Sequence, residues 1–151
     1  MEARMTSPAI LLPDAYKAIG ALNKAISATS VPESTLELVH LRASQINGCA
    51  GCVVFGIDQA KQRGETDDRL HSVAVWRESP LFTDAERAAL ALTEAATRIA
   101  DRPDAVTDEI WLEAVKHFGE EELAAILLMI GMTNLFNRLN VPTRQPAVKS
   151  W

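Results

Sequence analysis

The sequence predicts an all-α fold, and two features of it carry that reading. Hydrophobic residues make up 48% of the chain but aromatics only 5%, so the core must come from Ala, Leu, Ile and Val, which suit close-packed helices. Helix start and stop signals recur throughout, whereas no segment alternates in the manner of a half-buried strand. The length of 151 residues matches one domain with a core of its own. No repeat, low-complexity segment or linker divides the chain, so a single domain spanning 1–151, built from six or seven helices, is expected.

The first helix is expected from Asp14 to about Ala28, with Pro13 just ahead of it. The second follows Pro32 and places Leu36, Val39, Ala43 and Ile46 on one face. Asn47-Gly48 ends it, because glycine readily takes the left-handed conformation of a helix C-terminus. The third opens at Cys49 or Cys52 and runs to about Arg63, where Gly64 stops it. A short helix covers Asp67 to about Arg77. Thr83-Asp84-Ala85-Glu86 fits a capping box ahead of an Ala-rich helix reaching about Ala100. Thr107 to Phe118 forms the next, closed by Gly119. The last runs from Glu120 to about Leu139, and its acidic start suits the positive end of the helix dipole. Its centre is apolar all round, so it needs partners on every side, and self-association is expected. The tail beyond Val141 carries Pro142 and Pro146 and is expected to be extended.

Charge and composition narrow the function. The formal net charge is −5, with acidic and basic residues interspersed and no basic stripe. That pattern predicts no nucleic-acid partner and no membrane partner. The N-terminus lacks the charged and apolar regions of a secretory signal, and the longest apolar run, Leu123 to Met132, is too short to span a bilayer. A cytoplasmic location is the expectation.

The only two cysteines lie in Asn47-Gly48-Cys49-Ala50-Gly51-Cys52, with Glu37 twelve positions before Cys49. A disulfide between them closes too small a loop to staple a fold, so the pair reads as catalytic or metal-binding. No second Cys pair or His pair completes a zinc site, so no metal is expected, nor is a cofactor. At the first turn of a helix, free backbone N–H groups and the dipole favour a thiolate. The alternative is a pair of small buried hydrophobes. Glu37, His40 and Ser44 share one stripe of the second helix and would supply proton-handling groups if that stripe faces the sulfurs. An ordinary solvated or hydrogen-bonded face is the plainer account.

The segment from Glu37 to Cys52, Glu-Leu-Val-His-Leu-Arg-Ala-Ser-Gln-Ile-Asn-Gly-Cys-Ala-Gly-Cys, resembles the core of the alkylhydroperoxidase AhpD-like, or carboxymuconolactone decarboxylase, family. Phe82 to Leu90 and the run Asn134-Leu-Phe-Asn137-Arg138-Leu-Asn-Val extend the likeness over nearly the whole chain. The resemblance implies an all-α protomer in trimers or hexamers. It implies that Cys52 attacks a peroxide, that Cys49 resolves the product as a disulfide, and that Glu37 relays the proton. Members without the Cys pair act as lactone decarboxylases, so membership alone leaves the reaction open.

One position departs from the pattern. The family's relay His stands four residues after the second Cys, and here that residue is Gly56. The remaining imidazoles are His40, His71 and His117, of which His40 alone is placed to approach the site. The expected function is therefore a thiol-dependent peroxidase or disulfide oxidoreductase, slowed by the missing His and supplied by a protein or small thiol donor. A histidine placed at position 56 is expected to reach the sulfur. The alternatives are a non-redox binding or structural protein, with Val53, Phe55, Gly56 and Ile57 as an apolar pocket, and a cofactor-free lactone decarboxylase using Glu37 and His40. For the latter only Arg42 or Arg138 offers itself to a substrate carboxylate. Trp76, Trp111 and Trp151 are expected in cores or interfaces, and Asn134, Asn137 and Arg138 in hydrogen bonds to neighbouring helices or a subunit partner.

Overall fold

Helix α3 (Glu33–Ile46) feeds two cores at once, and the other helices are arranged around that fact. The computed structural model describes residues 2–147. Among them the order is α1 (Pro8–Leu11), α2 (Pro13–Ser27), α3, α4 (Ala50–Gln62), α5 (Asp67–Ser72), a 3₁₀ turn (Val73–Val75), α6 (Asp84–Thr97), α7 (Asp108–His117) and α8 (Glu120–Thr143). The all-α expectation holds, with no strand among the described residues. The count is eight α-helices rather than six or seven, because Pro8 starts a separate short turn before Pro13 opens α2.

Leu36 and Val39 of α3 join Ile26, Ala89, Leu92, Ile126, Met129 and Ile130 in one cluster. Leu38 and Leu41, pointing the other way, join Ala60, Leu70, Val73, Trp76, Phe82 and Leu90 in a second. Apolar residues on both sides of one helix therefore tie α4, α5 and the 3₁₀ turn to the rest of the bundle. Trp76 is buried as expected, Trp111 is exposed, and Trp151 lies outside the described residues.

Polar groups fix the ends. In α6, Thr83 Oγ accepts from the Glu86 N–H (3.2 Å) while a Glu86 carboxylate oxygen accepts from the Thr83 N–H (2.8 Å). A cap of this kind contributes about 1 kcal/mol. Glu94 accepts from Arg42 Nε (2.7 Å) and Trp76 Nε1 (3.0 Å) on one oxygen and from Arg77 (2.5 Å) on the other. Burial works to raise the Glu94 carboxyl, yet these donors together hold it below the usual carboxylate range.

Helix α8 corrects two expectations. It continues past Leu139 to Thr143 with Pro142 inside its last turn, so the tail becomes non-helical later than expected. Proline forfeits one helix hydrogen bond. The end is held instead by Arg4, which donates from its backbone N–H to the Thr143 carbonyl (2.8 Å) and from its side chain to the Pro142 carbonyl (3.0 Å). At 24 residues the helix is also far longer than its central apolar run, and by length and mean hydropathy alone it could cross a membrane. It spends one side on the core through Leu123, Ile126, Met129, Ile130 and Met132, as a core helix does. The opposite side leaves Leu127, Leu128 and Leu135 exposed.

Candidate active site

The turn between α3 and α4 brings the two cysteines onto the first turn of α4. Gly48 adopts φ +66°, a left-handed conformation that glycine takes without a Cβ penalty, and this lets the chain reverse within three residues. The Cys49 N–H then donates back to the Ser44 carbonyl at 3.0 Å. Cys49 is the N-cap of α4, its sulfur accepting from the Cys52 N–H at 3.3 Å. Both cysteines are buried and joined as a disulfide, with Cα atoms 5.3 Å apart. The spacing is within the ordinary range for such a bond.

Helix α8 clamps this turn with asparagines. Asn47 Nδ2 donates to Asn137 Oδ1 (2.8 Å) and Asn134 Oδ1 (3.0 Å), and Asn137 Nδ2 donates to Ser44 Oγ (3.2 Å). Asn134 and Asn137 thus bond a neighbouring helix, while Arg138 bonds Asn134 within α8. Ser44, though on the stripe of Glu37 and His40, serves the clamp. One turn further along α8, Asn140 Nδ2 lies 3.4 Å from Cys52 Sγ and donates to it. Sequence reasoning did not single out Asn140, although it lies within the asparagine-rich run that marked α8.

Glu37, His40 and Cys52 line one cavity of ≈ 750 Å³ enclosed by α1, α2, α3, α4 and α8. Phe55 lines it too, its ring meeting the His40 ring edge-on with centroids 6.4 Å apart. Val53 and Ile57 instead pack against the second core, so the segment expected to form a pocket contributes Phe55 to the wall and Gly56 beneath His40. The remaining wall comes from residues that sequence reasoning did not connect to the site, including Ile19, Met129, Met132 and Phe136. Arg42 and Arg138 are not among the lining residues, and Arg42 is engaged by Glu94.

The vacancy expected at position 56 is filled. A Cβ built on Gly56 would meet His40 Nδ1 at 2.6 Å and Cε1 at 2.8 Å. The imidazole of α3 therefore occupies the space of a side chain one turn beyond Cys52. The expectation that a histidine at 56 has room to reach the sulfur is corrected accordingly, since His40 must leave first. His71 and His117 are exposed and lie elsewhere.

Electrostatics bring the two candidate proton carriers together. Burial lowers the His40 pKa to about 4, so the ring is neutral at pH 7, and among the described residues no side chain hydrogen-bonds it. Burial raises the Glu37 carboxyl, against the opposing pull of the Arg63 guanidinium that pairs with it. Arg63 also holds Glu33 at 3.1 Å. Burial thus favours the neutral form of each group, a protonated carboxyl and an unprotonated imidazole. No group of three or more His, Cys, Asp or Glu that could hold a metal occurs among the described residues.

A sequence profile of the carboxymuconolactone decarboxylase family matches residues 13–95, the stretch that carries Glu37, His40 and both cysteines. The chain belongs to that family. The uncharacterized protein YdfG of Bacillus subtilis is 31% identical over 131 residues, covering 87% of this chain and 88% of its own. The uncharacterized protein YnjA of Escherichia coli is 36% identical over 110 residues, 73% of this chain and 59% of its own. Among solved structures, ATU0492 of Agrobacterium tumefaciens superposes with a TM-score of 0.89 at 33% identity, covering 97% of this family member and 99% of that chain. That protein is of unknown function and provisionally named antioxidant defence protein AhpD. The debrominase Bmp8, solved with 2,3,4-tribromopyrrole, shares the fold with a TM-score of 0.80 at 23% identity over 90% of this chain and 72% of its own.

Proposed function

We propose that the protein is a dithiol oxidoreductase that reduces peroxides, with Cys52 as attacking thiol, Cys49 as resolving thiol, and Glu37 and His40 as proton carriers. The observation that carries this reading is the His40 imidazole lying in the side-chain space of residue 56. The group that the Gly56 departure removed from one helix is supplied by another.

In the reduced protein, Glu37 or His40 takes the Cys52 thiol proton, and the thiolate attacks the outer oxygen of R–O–O–H. The S–O bond forms, the O–O bond breaks, and the departing RO⁻ takes that proton from the carrier to leave as ROH. Cys49 then attacks the Cys52 sulfenic acid, forming the disulfide while hydroxide leaves and is protonated to water. An external dithiol, or two thiols, returns two electrons and two protons and regenerates the pair. His40, neutral at pH 7, is free to accept a proton, and the raised Glu37 carboxyl is the better able to hold one. The positive end of α4 and the Asn140 amide favour negative charge on Cys52 during attack.

Such a dithiol turns over in a reducing compartment, which agrees with a cytoplasmic setting. The proposal includes assembly as a homotrimer or homohexamer, in which copies of the chain cover the exposed leucines of α8. The deciding experiment is peroxide consumption by purified protein with dithiothreitol, beside Cys52→Ser. Loss of activity in the variant, with a mass difference of two hydrogens between oxidised and reduced wild type, supports the mechanism. Activity that survives in Cys52→Ser overturns it.

A further inference from the structure

The cavity beside Cys52 is far larger than a relay needs. Its ≈ 750 Å³ is bounded mostly by apolar side chains, among them Ile19 of α2, Leu36 of α3, Phe55 of α4 and Met129, Met132 and Phe136 of α8. Flexible methionines beside aromatic rings make a wall that adapts to ligand shape. The α2 side is built for space: that helix buries only Ile26, and a Cβ added at Gly20 would meet nothing within 4 Å.

The charges at the mouth are already matched. Arg63 is taken by Glu33 and Glu37, and Lys17 lies 3.3 Å from Asp14. Among the described residues, the cations lining the cavity are Lys17 and Arg63, each already facing a carboxylate rather than an anionic head group. A carboxylate, sulfonate or phosphate entering it would lose water without gaining a partner.

We infer that this cavity is the binding site for a neutral, largely apolar organic molecule of about 15–20 non-hydrogen atoms, presented to Cys52 from the α2 side. The inference rests on the dithiol reading only in taking Cys52 as the atom that meets the ligand.

The test uses the full chain in its disulfide form and a matched pair of fluorescent probes: neutral N-phenylnaphthylamine and its sulfonated counterpart, anilinonaphthalene sulfonate. The neutral probe should saturate at about one per chain and bind about tenfold or more tighter than the sulfonated one. Gly20→Trp should weaken the neutral probe about tenfold while the melting temperature holds, because a helical glycine is being replaced into open space. Ile99→Lys, exposed just beyond α6 and not among the cavity's lining residues, should leave the titration unchanged. Absence of saturable binding overturns the site. Equal binding of the two probes overturns the neutral class. Indifference to Gly20→Trp, or loss of binding in Ile99→Lys, overturns the location. Peroxide consumption by the same samples is scored separately, so failure of the dithiol mechanism with intact probe binding is distinguishable from failure of the site.

Discussion

His40 and Gly56 form a fitted pair across α3 and α4: the imidazole lies where any side chain at 56 would begin, 2.6 Å from its Cβ position. Gly56→Ala should therefore destabilise the protein by about 1–3 kcal/mol through overpacking, despite the better helix propensity of alanine. Adding His40→Ala should relieve that penalty. Denaturant unfolding of the two singles and the double gives the coupling directly.

The same pair makes a prediction about rate. His40→Ala should slow peroxide consumption by about 10²–10⁴-fold, the usual worth of a positioned proton carrier. His40→Ala/Gly56→His should recover most of it, because the new imidazole enters space that His40 has vacated. Steady-state assays of both variants check this, and no recovery in a folded double variant would show that His40 acts by some other route.

Stability should depend on pH through His40. Its folded pKa of about 4 is below the unfolded value near 6.5, so in between the unfolded chain binds the extra proton. Stability is then complete above pH 6.5 and falls as pH drops towards 4, by up to about 3 kcal/mol. His40→Gln should flatten that part of the profile. Melting temperatures measured from pH 7 to pH 4.5 in both proteins supply the comparison.

Asn140→Leu removes the amide that donates to Cys52 Sγ without disturbing the asparagine clamp on the α3–α4 turn. Alkylation of the reduced protein at neutral pH should slow by roughly 3–10-fold, since the thiolate loses a donor. Unchanged alkylation would remove Asn140 from the site.

Glu94 stands between Arg42, Trp76 and Arg77, and Glu94→Leu strands the half-buried Arg42 charge. The expected cost is about 3–5 kcal/mol in urea unfolding. Arg42→Leu in the same chain should return part of it, which separates a stranded charge from lost packing.

Much of the fold could be read from residues whose effects are local. Pro13, Pro32, Asn47-Gly48, Gly64 and the Thr83–Glu86 box each marked an end to within a few residues, because caps and breakers act on their own turn. The end of α8 could not be read that way. Arg4, from the opposite end of the sequence, bonds the Pro142 and Thr143 carbonyls and so anchors a last turn that the proline weakens. Glu37, His40 and Cys52, picked out by type and spacing, line one cavity. The fit of Gly56 against His40 could not be read, since it depends on a side chain sixteen positions away crossing from another helix. The apolar chamber was invisible for a similar reason: its walls come from five helices, and no periodicity records a space that they leave empty.

Glu37 and Arg63 border that chamber on one side and, on the other, a second cleft of ≈ 300 Å³ lined by Ser34, Glu65, Gly64 and Arg69. Glu37 thus has a face on each of two recesses. A guest that fills the chamber still leaves this carboxylate open to the cleft behind it, so proton exchange at Glu37 need not share the guest's entrance.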